Sequence, residues 1–271
     1  MLKQRVITAL ILAPLVLGAI YYLSTPVVAI ILGLIILIGA WEWAGLSGFE
    51  TIQSRAIYTG ITALLMFVCY PLITQSSMKL FLIIACFWWL IALIVIISSQ
   101  KKGSLPKQNN GLFLIVGFVV LVPAWMSILY LHDLGSEWVL FLLALIWTAD
   151  IGAYFAGRAL GRHKLADKIS PGKSWEGVIG GLAAVLLIAL LSLPKLTGSE
   201  NISTAMVLLC LATALISVLG DLTESVVKRI SGKKDSGNIL PGHGGVMDRI
   251  DSLTAAAPIF TAGLILLGTL A

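Results

Sequence analysis

The carboxylates of this 271-residue chain are few, and most stand where long apolar runs end. Asp221, Glu224, Ser225 and Lys228 are spaced so that all four share one face of a helix. Asp248 and Asp251 follow Gly244-Gly245 and share a face if that segment is helical. Acids presented by two helices can hold hard cations through oxygen. The same spacing also suits internal salt bridges, Glu224 to Lys228 and Asp248 or Asp251 to Arg249. Glu42, Asp150 and Glu176 lie toward the same ends of their runs, whereas Asp133, Glu137 and Glu200 fall in the opposite loops.

Between the two acidic faces lies a basic, glycine-rich stretch. Residues 225–251 hold five cations, three carboxylates, one histidine and five glycines. The turn Pro241-Gly242-His243-Gly244-Gly245 lets backbone approach a ligand, and N–H groups at a following helix start suit phosphate oxygens. Lys228, Arg229, Lys233, Lys234 and Arg249 around it suit a polyphosphate. His243 reads equally as a proton shuttle, a phosphate donor or a loop histidine satisfying backbone. A second polar block runs from Asp150 and Tyr154 through Arg158, Arg162-His163-Lys164 and Ser170-Pro171-Gly172-Lys173-Ser174 to Glu176. Gly172-Lys173-Ser174 matches only the ending of a P-loop; the upstream frame is missing, so a P-loop is excluded. Metals screening phosphates and cations stabilising a leaving group point to phosphoryl or nucleotidyl transfer. A site at a membrane surface points to a lipid substrate.

The elements that must position these groups are membrane helices. Hydrophobic residues make up 59% of the chain and charged residues 11%, against about 25% in soluble domains. Mean hydropathy is +1.01. Nine runs reach the ~20 residues a bilayer needs: about 6–23, 26–47, 56–74, 79–98, 111–131, 137–157, 175–193, 202–227 and 253–270. They are continuous rather than alternating, which excludes a barrel. The expected fold is an all-α polytopic membrane protein of about nine transmembrane helices. Residues 1–135 form a scaffold of about five spans, and 136–271 carry the catalytic loops 158–174 and 228–252. With the N-terminus cytoplasmic, sixteen of the eighteen lysines and arginines fall on the cytoplasmic side, leaving only Lys79 and Lys195 outside. The site is then expected at the cytoplasmic membrane face. The first run is long for a signal peptide and lacks a small-residue cleavage site, so it reads as an uncleaved span. Cys69, Cys86 and Cys210 read as packing residues, and Trp41, Trp43, Trp88, Trp89, Trp125, Trp138 and Trp175 as interfacial anchors.

The stretch Ser225, Lys228-Arg229, Lys234-Asp235, His243-Gly244-Gly245 and Asp248-Arg249-Ile250-Asp251 resembles the signature of the phosphatidate cytidylyltransferases, the CDP-diacylglycerol synthases. Asp150-Ile151-Gly152-Ala153-Tyr154 and Ile169 through Gly177 resemble further blocks of that family, with Ser174 where threonine is common. The resemblance implies transfer of CMP from CTP to phosphatidate, giving CDP-diacylglycerol and pyrophosphate. It also implies Mg²⁺, with a monovalent ion such as K⁺ beside it, and a homodimer. Asp221 and Asp248 are similar to the family's metal-binding acids. Lys228, Arg249 and Asp251 are then expected in catalysis. Ser225, Arg229, Lys234, His243, Gly244, Gly245, Asp150, Lys173 and Ser174 are expected around the substrates. The bilayer is a partner and nucleic acid is not. A bacterial inner membrane is the expected location. Rival readings are an ion-coupled transporter and a CTP-dependent prenol kinase, which would release CDP.

Overall fold

The computed structural model describes residues 13–199, 201–239 and 244–268, Gln75 by its backbone alone. His243, Lys3, Arg5 and Glu200 lie outside the described residues. The chain runs back and forth as α1 (described part Ala13–Tyr22), α2 (Thr25–Leu46), α3 (Ile52–Cys69), α4 (Gln75–Lys102), α5 (Asn110–Leu134) and α6 (Ser136–Leu160). After a two-stranded hairpin, β1 (Lys164–Ala166) and β2 (Ser170–Ser174), come α7 (Trp175–Thr197), α8 (Thr204–Ile230) and α9 (Met247–Leu266). Among the described residues, eight helices, α2 to α9, are long and apolar enough to cross a membrane. They match eight of the nine expected runs; the first run begins outside the described residues. Exposure is inverted relative to a water-soluble protein: Phe67 and Tyr22 are about four-fifths exposed, while Glu42, Glu224 and Lys228 are buried. This is a multi-pass, helical membrane protein.

Local signals start and stop the helices. Thr51 caps α3 by accepting the Ser54 N–H at 3.1 Å, and Asn109 caps α5 by accepting that of Leu112 at 3.1 Å. Lys101 and Lys102 occupy the last turn of α4, where cations complement the helix dipole. Three boundaries depart from expectation. First, α9 begins at Met247 rather than near 253, because its first N–H groups find an acceptor on another helix. Second, α6 and α8 run on to Leu160 and Ile230, which shortens both polar loops. Third, part of the loop 158–174 is an antiparallel hairpin pairing Lys164 with Ser174 and Ala166 with Ser170, an addition to the all-helical expectation.

The core is built on α5 and α9. Leu121, Met126, Leu129 and Leu131 of α5 are fully buried, as are Ala255, Ala256, Ala257 and Phe260 of α9. Four tryptophans expected at the interface are instead core residues: Trp43, Trp89, Trp125 and Trp138 are 8% exposed or less. Trp43 Nε1 donates to the Phe113 carbonyl at 2.7 Å and Trp125 Nε1 to that of Ala29 at 3.2 Å, tying α2 to α5. The N–H groups of Trp43 and Trp125 thus find carbonyls inside the bundle, which removes their need for an interfacial position, whereas Trp89 Nε1 is buried without a partner among the described residues. Cys69 and Cys210 are buried free thiols, as expected. At one end of the bundle the polar segments meet. Ser231 Oγ donates to the Leu46 carbonyl at 2.5 Å, Lys233 Nζ to Gly45 at 2.8 Å, Lys168 Nζ to Gly103 at 2.7 Å and Arg229 Nε to Ile169 at 3.3 Å.

Candidate active site

Helices α8 and α9 approach each other closely at this end. A side-chain carbon at Gly220 would come within 2.5 Å of the Asp251 carbonyl oxygen and 2.9 Å of Ala255 Cβ. Only glycine lets the two backbones meet there, and the contact sits one residue from Asp221. The expected face of α8 is real. Glu224, Ser225 and Lys228 point inward at 9% exposure or less. Ser225 Oγ donates to Asp221 Oδ1 at 3.3 Å, and Lys228 Nζ lies 3.4 Å from Glu224 Oε2.

Asp248 and Asp251, one turn apart on α9, face the same lysine. Lys228 Nζ donates to Asp248 Oδ1 at 2.5 Å, and Asp251 lies within its electrostatic reach. Asp251 also neighbours Asp221 and Glu224. Both readings of the spacing therefore hold together: the pairs are salt bridges, and they gather the acids. The Asp248 pairing is to Lys228 rather than to Arg249, whose position on α9 is exposed. The Glu224 oxygens accept no hydrogen bond among the described residues. Among the described residues, the buried Lys228 ammonium is thus shared by three carboxylates.

The second polar block closes the site from the other side. Lys173, at the end of β2, places Nζ 2.7 Å from Asp221 Oδ2, with its side chain 24% exposed and that of Asp221 34% exposed. Asp150 on α6 is in electrostatic reach of both. Small residues make this meeting possible: α6 and α7 pack nearly backbone to backbone, with Gly177 and Gly181 against the carbonyls of Ala153 and Ala149.

Several residues expected around the substrates have structural partners in the bundle. Ser174 is buried and accepts the Gly177 N–H at 3.1 Å, which makes it the cap of α7. Arg229 spends Nε on Ile169 and Nη1 on the Lys233 carbonyl, at 3.3 Å each, and so clamps the hairpin to the end of α8. The Gly245 N–H donates to Asp248 Oδ2 at 2.8 Å, so it orients the carboxylate; Gly244 takes a left-handed φ of 81° beside it. Lys234 is exposed at the rim.

Two residues with no assigned role stand behind Asp248. Ser236 donates to Asp248 Oδ2 through its N–H at 3.0 Å and lies within 2.9 Å through Oγ. Glu42, buried in α2, accepts the N–H groups of Val246 at 3.1 Å and Met247 at 2.8 Å. An acid inside the apolar run 26–47 is a visible signal; its partners, some two hundred residues away, are not.

The donor set suits a divalent cation completed by substrate. Among the described residues no three His, Cys, Asp or Glu side chains form a preformed metal cage. Mg²⁺ needs none: it takes one or two carboxylates and fills its shell with water and substrate phosphate. Asp221 keeps a partly exposed carboxylate for this. Among the described residues, the cations shown against Asp150, Asp221, Glu224, Asp248 and Asp251 are Lys173 and Lys228. A bound polyphosphate would add to that surplus of negative charge, so the chemistry demands further positive charge.

A family model described as the cytidylyltransferase family matches residues 3–267. The chain is 43% identical to the phosphatidate cytidylyltransferase of Pseudomonas aeruginosa over 267 residues, covering 97% of this chain and 96% of that one. It is also 43% identical to the phosphatidate cytidylyltransferase of Haemophilus influenzae over an aligned 285 positions, covering 96% and 98%. It is 40% identical over 150 residues to the uncharacterised protein YnbB of Escherichia coli, covering 55% and 50%.

Proposed function

The chain belongs to the cytidylyltransferase family, and from that premise we propose that it transfers the cytidylyl group of CTP to phosphatidate, forming CDP-diacylglycerol and pyrophosphate. The observation that carries the chemistry is the convergence of Asp221 with Lys173 and of Asp248 with Lys228, from three segments of the chain, at one end of the bundle.

An oxygen of the phosphatidate phosphate attacks the α-phosphorus of CTP. The new P–O bond forms as the bond to pyrophosphate breaks, in line. The attacking oxygen is already anionic, so positioning dominates over general-base catalysis. Asp221 and Asp248 are the residues that would hold Mg²⁺, with K⁺ as the companion ion. When bound, Mg²⁺ supplies charge neutralisation at the phosphate oxygens. Lys173, half-buried at the mouth, meets phosphate. Lys228 sets the charge and position of Asp248. Ser225 orients Asp221, and Arg249 and Lys234 at the rim attract the triphosphate. Asp251 and Asp150 hold the two lysines in place. The protein works as a homodimer in a bacterial inner membrane, with this end of the bundle in the cytoplasm. The scarcity of lysine and arginine on the opposite side, Lys79 and Lys195 alone, supports that orientation.

Incubating purified protein with labelled CTP, phosphatidate and Mg²⁺ tests the reading. CDP-diacylglycerol and pyrophosphate in equal amounts are expected. Release of CDP would instead make the protein a lipid kinase, and no CDP-diacylglycerol from folded protein would overturn the reading.

A further inference from the structure

We propose that Glu42 is a positioning residue for the reaction: from the scaffold helix α2 it fixes the start of α9 and, through Ser236, the carboxylate of Asp248. The inference rests on the assignment of Asp248 to the reaction.

Glu42 is 2% exposed in an otherwise apolar helix, where an ionised carboxylate is costly unless fully hydrogen-bonded. Its donors are the N–H groups of Val246 and Met247, at 3.1 and 2.8 Å, and the Ser236 hydroxyl at 3.1 Å. The first N–H groups of a helix lack intrahelical acceptors, and a negative charge is favoured there. No side chain of the residue preceding α9 caps it. A serine or aspartate at that position would cap the helix locally without burying a charge in α2. A cap supplied from α2 does something a local one cannot. It locks the first turn of α9, and Asp248 within it, to a fixed point in the bundle.

Ser236 carries the link further. Its hydroxyl stands between Glu42 Oε2 at 3.1 Å and Asp248 Oδ2 at 2.9 Å, with one proton for two carboxylates. The N–H groups of Ser236 and Gly245 fix the same Asp248 oxygen. With Oδ2 held this way, Oδ1 is the oxygen turned to Lys228. Loss of Glu42 releases the hydroxyl and the first turn together, and Asp248 Oδ1 loses its fixed direction.

The test compares Glu42→Gln, Ser236→Ala, the double variant and Asp248→Asn in the full-length detergent-solubilised enzyme. Steady-state kinetics and amide hydrogen exchange over the start of α9 are measured. Glu42→Gln is expected to lower kcat at least about tenfold, the scale of a buried charged hydrogen bond, with KM for CTP changed less than about threefold. The Val246 and Met247 amides exchange faster in Glu42→Gln and not in Ser236→Ala. The double variant is no worse than Glu42→Gln by more than about twofold, since both act on one carboxylate. Full kcat in Glu42→Gln, or multiplicative losses in the double variant, overturns the proposal. If Glu42→Gln does not fold, Ser236→Ala decides alone: unchanged kcat in that folded variant overturns it. Activity in Asp248→Asn would mean that the assignment of Asp248 has failed, a result distinct from failure of the Glu42 link.

Discussion

Lys173 and Lys228 each pair with one of the two acids assigned to metal, yet they sit in different dielectric surroundings. Lys228 is 9% exposed and is shared by Glu224, Asp248 and Asp251. Removing it strands buried carboxylates, a loss of about 3–5 kcal/mol. Lys228→Met is therefore expected to lower both the folded yield and the melting temperature, along with activity. Lys173 stands at the mouth of the site and, among the described residues, pairs with one acid, the one-third-exposed Asp221. Lys173→Met is expected to fold with an unchanged melting temperature but to raise KM for CTP at least about tenfold, the worth of one charge-assisted contact. Equal effects of the two substitutions on the melting temperature would contradict this division. Ser174, two residues after Gly172 and directly after Lys173, looks like a ligand residue in sequence and in space also caps α7. Ser174→Ala is expected to cost about 1 kcal/mol of stability while leaving turnover of the folded fraction within twofold. The i, i+4 pair of Glu224 and Lys228 was legible because helix geometry alone makes it. The pair of Lys173 and Asp221 was not, since nothing local brings a hairpin to a helix forty-eight residues on.

Elements carry these residues, and the contact between α8 and α9 determines how the two acid faces meet. Gly220 lies against the backbone of Asp251, so any side chain there must push one helix from the other. Gly220→Val is expected to reduce turnover about a hundredfold, the scale on which ångström misplacements act. Gly60 on α3 has nothing within 4 Å of the position its Cβ would take, so Gly60→Val is the matched control and should keep wild-type turnover. A fully active Gly220→Val enzyme would show that the acids need no close registration. Helix positions were readable because lipid demands long apolar runs, and eight of them stand close to where hydropathy places them. The hairpin was not, because Lys164–Ala166 and Ser170–Ser174 are short, polar and contain Pro171 and Gly172, the composition of a loop. The early start of α9 was hidden for a related reason: its cap is on α2, and a sequence shows caps only when they are local.

At the scale of the whole molecule, chemistry and topology have to agree on one side of the membrane. Every acid and lysine assigned to the reaction lies at the end where Leu46, Gly103, Ile169 and Ser231 meet. The described lysines and arginines gather at that end too, apart from Lys79 and Lys195, which sit near the start of α4 and in the last turn of α7. Basic segments near an anionic cytoplasmic leaflet gain about 1 kcal/mol per charge, and short basic loops resist translocation. The proposed orientation puts this cation-rich end in the cytoplasm, which is also where a nucleoside triphosphate is supplied. Single cysteines test the match. In a background lacking Cys69, Cys86 and Cys210, Lys234→Cys and Lys195→Cys place one thiol at each end of the bundle. A membrane-impermeant maleimide should label Lys234→Cys only in inside-out vesicles and Lys195→Cys only in right-side-out vesicles. CTP added outside sealed inside-out vesicles should then be consumed without permeabilisation. The reverse labelling pattern would place the acid cluster on the far side from its nucleotide and would remove the physical basis for the proposed reaction.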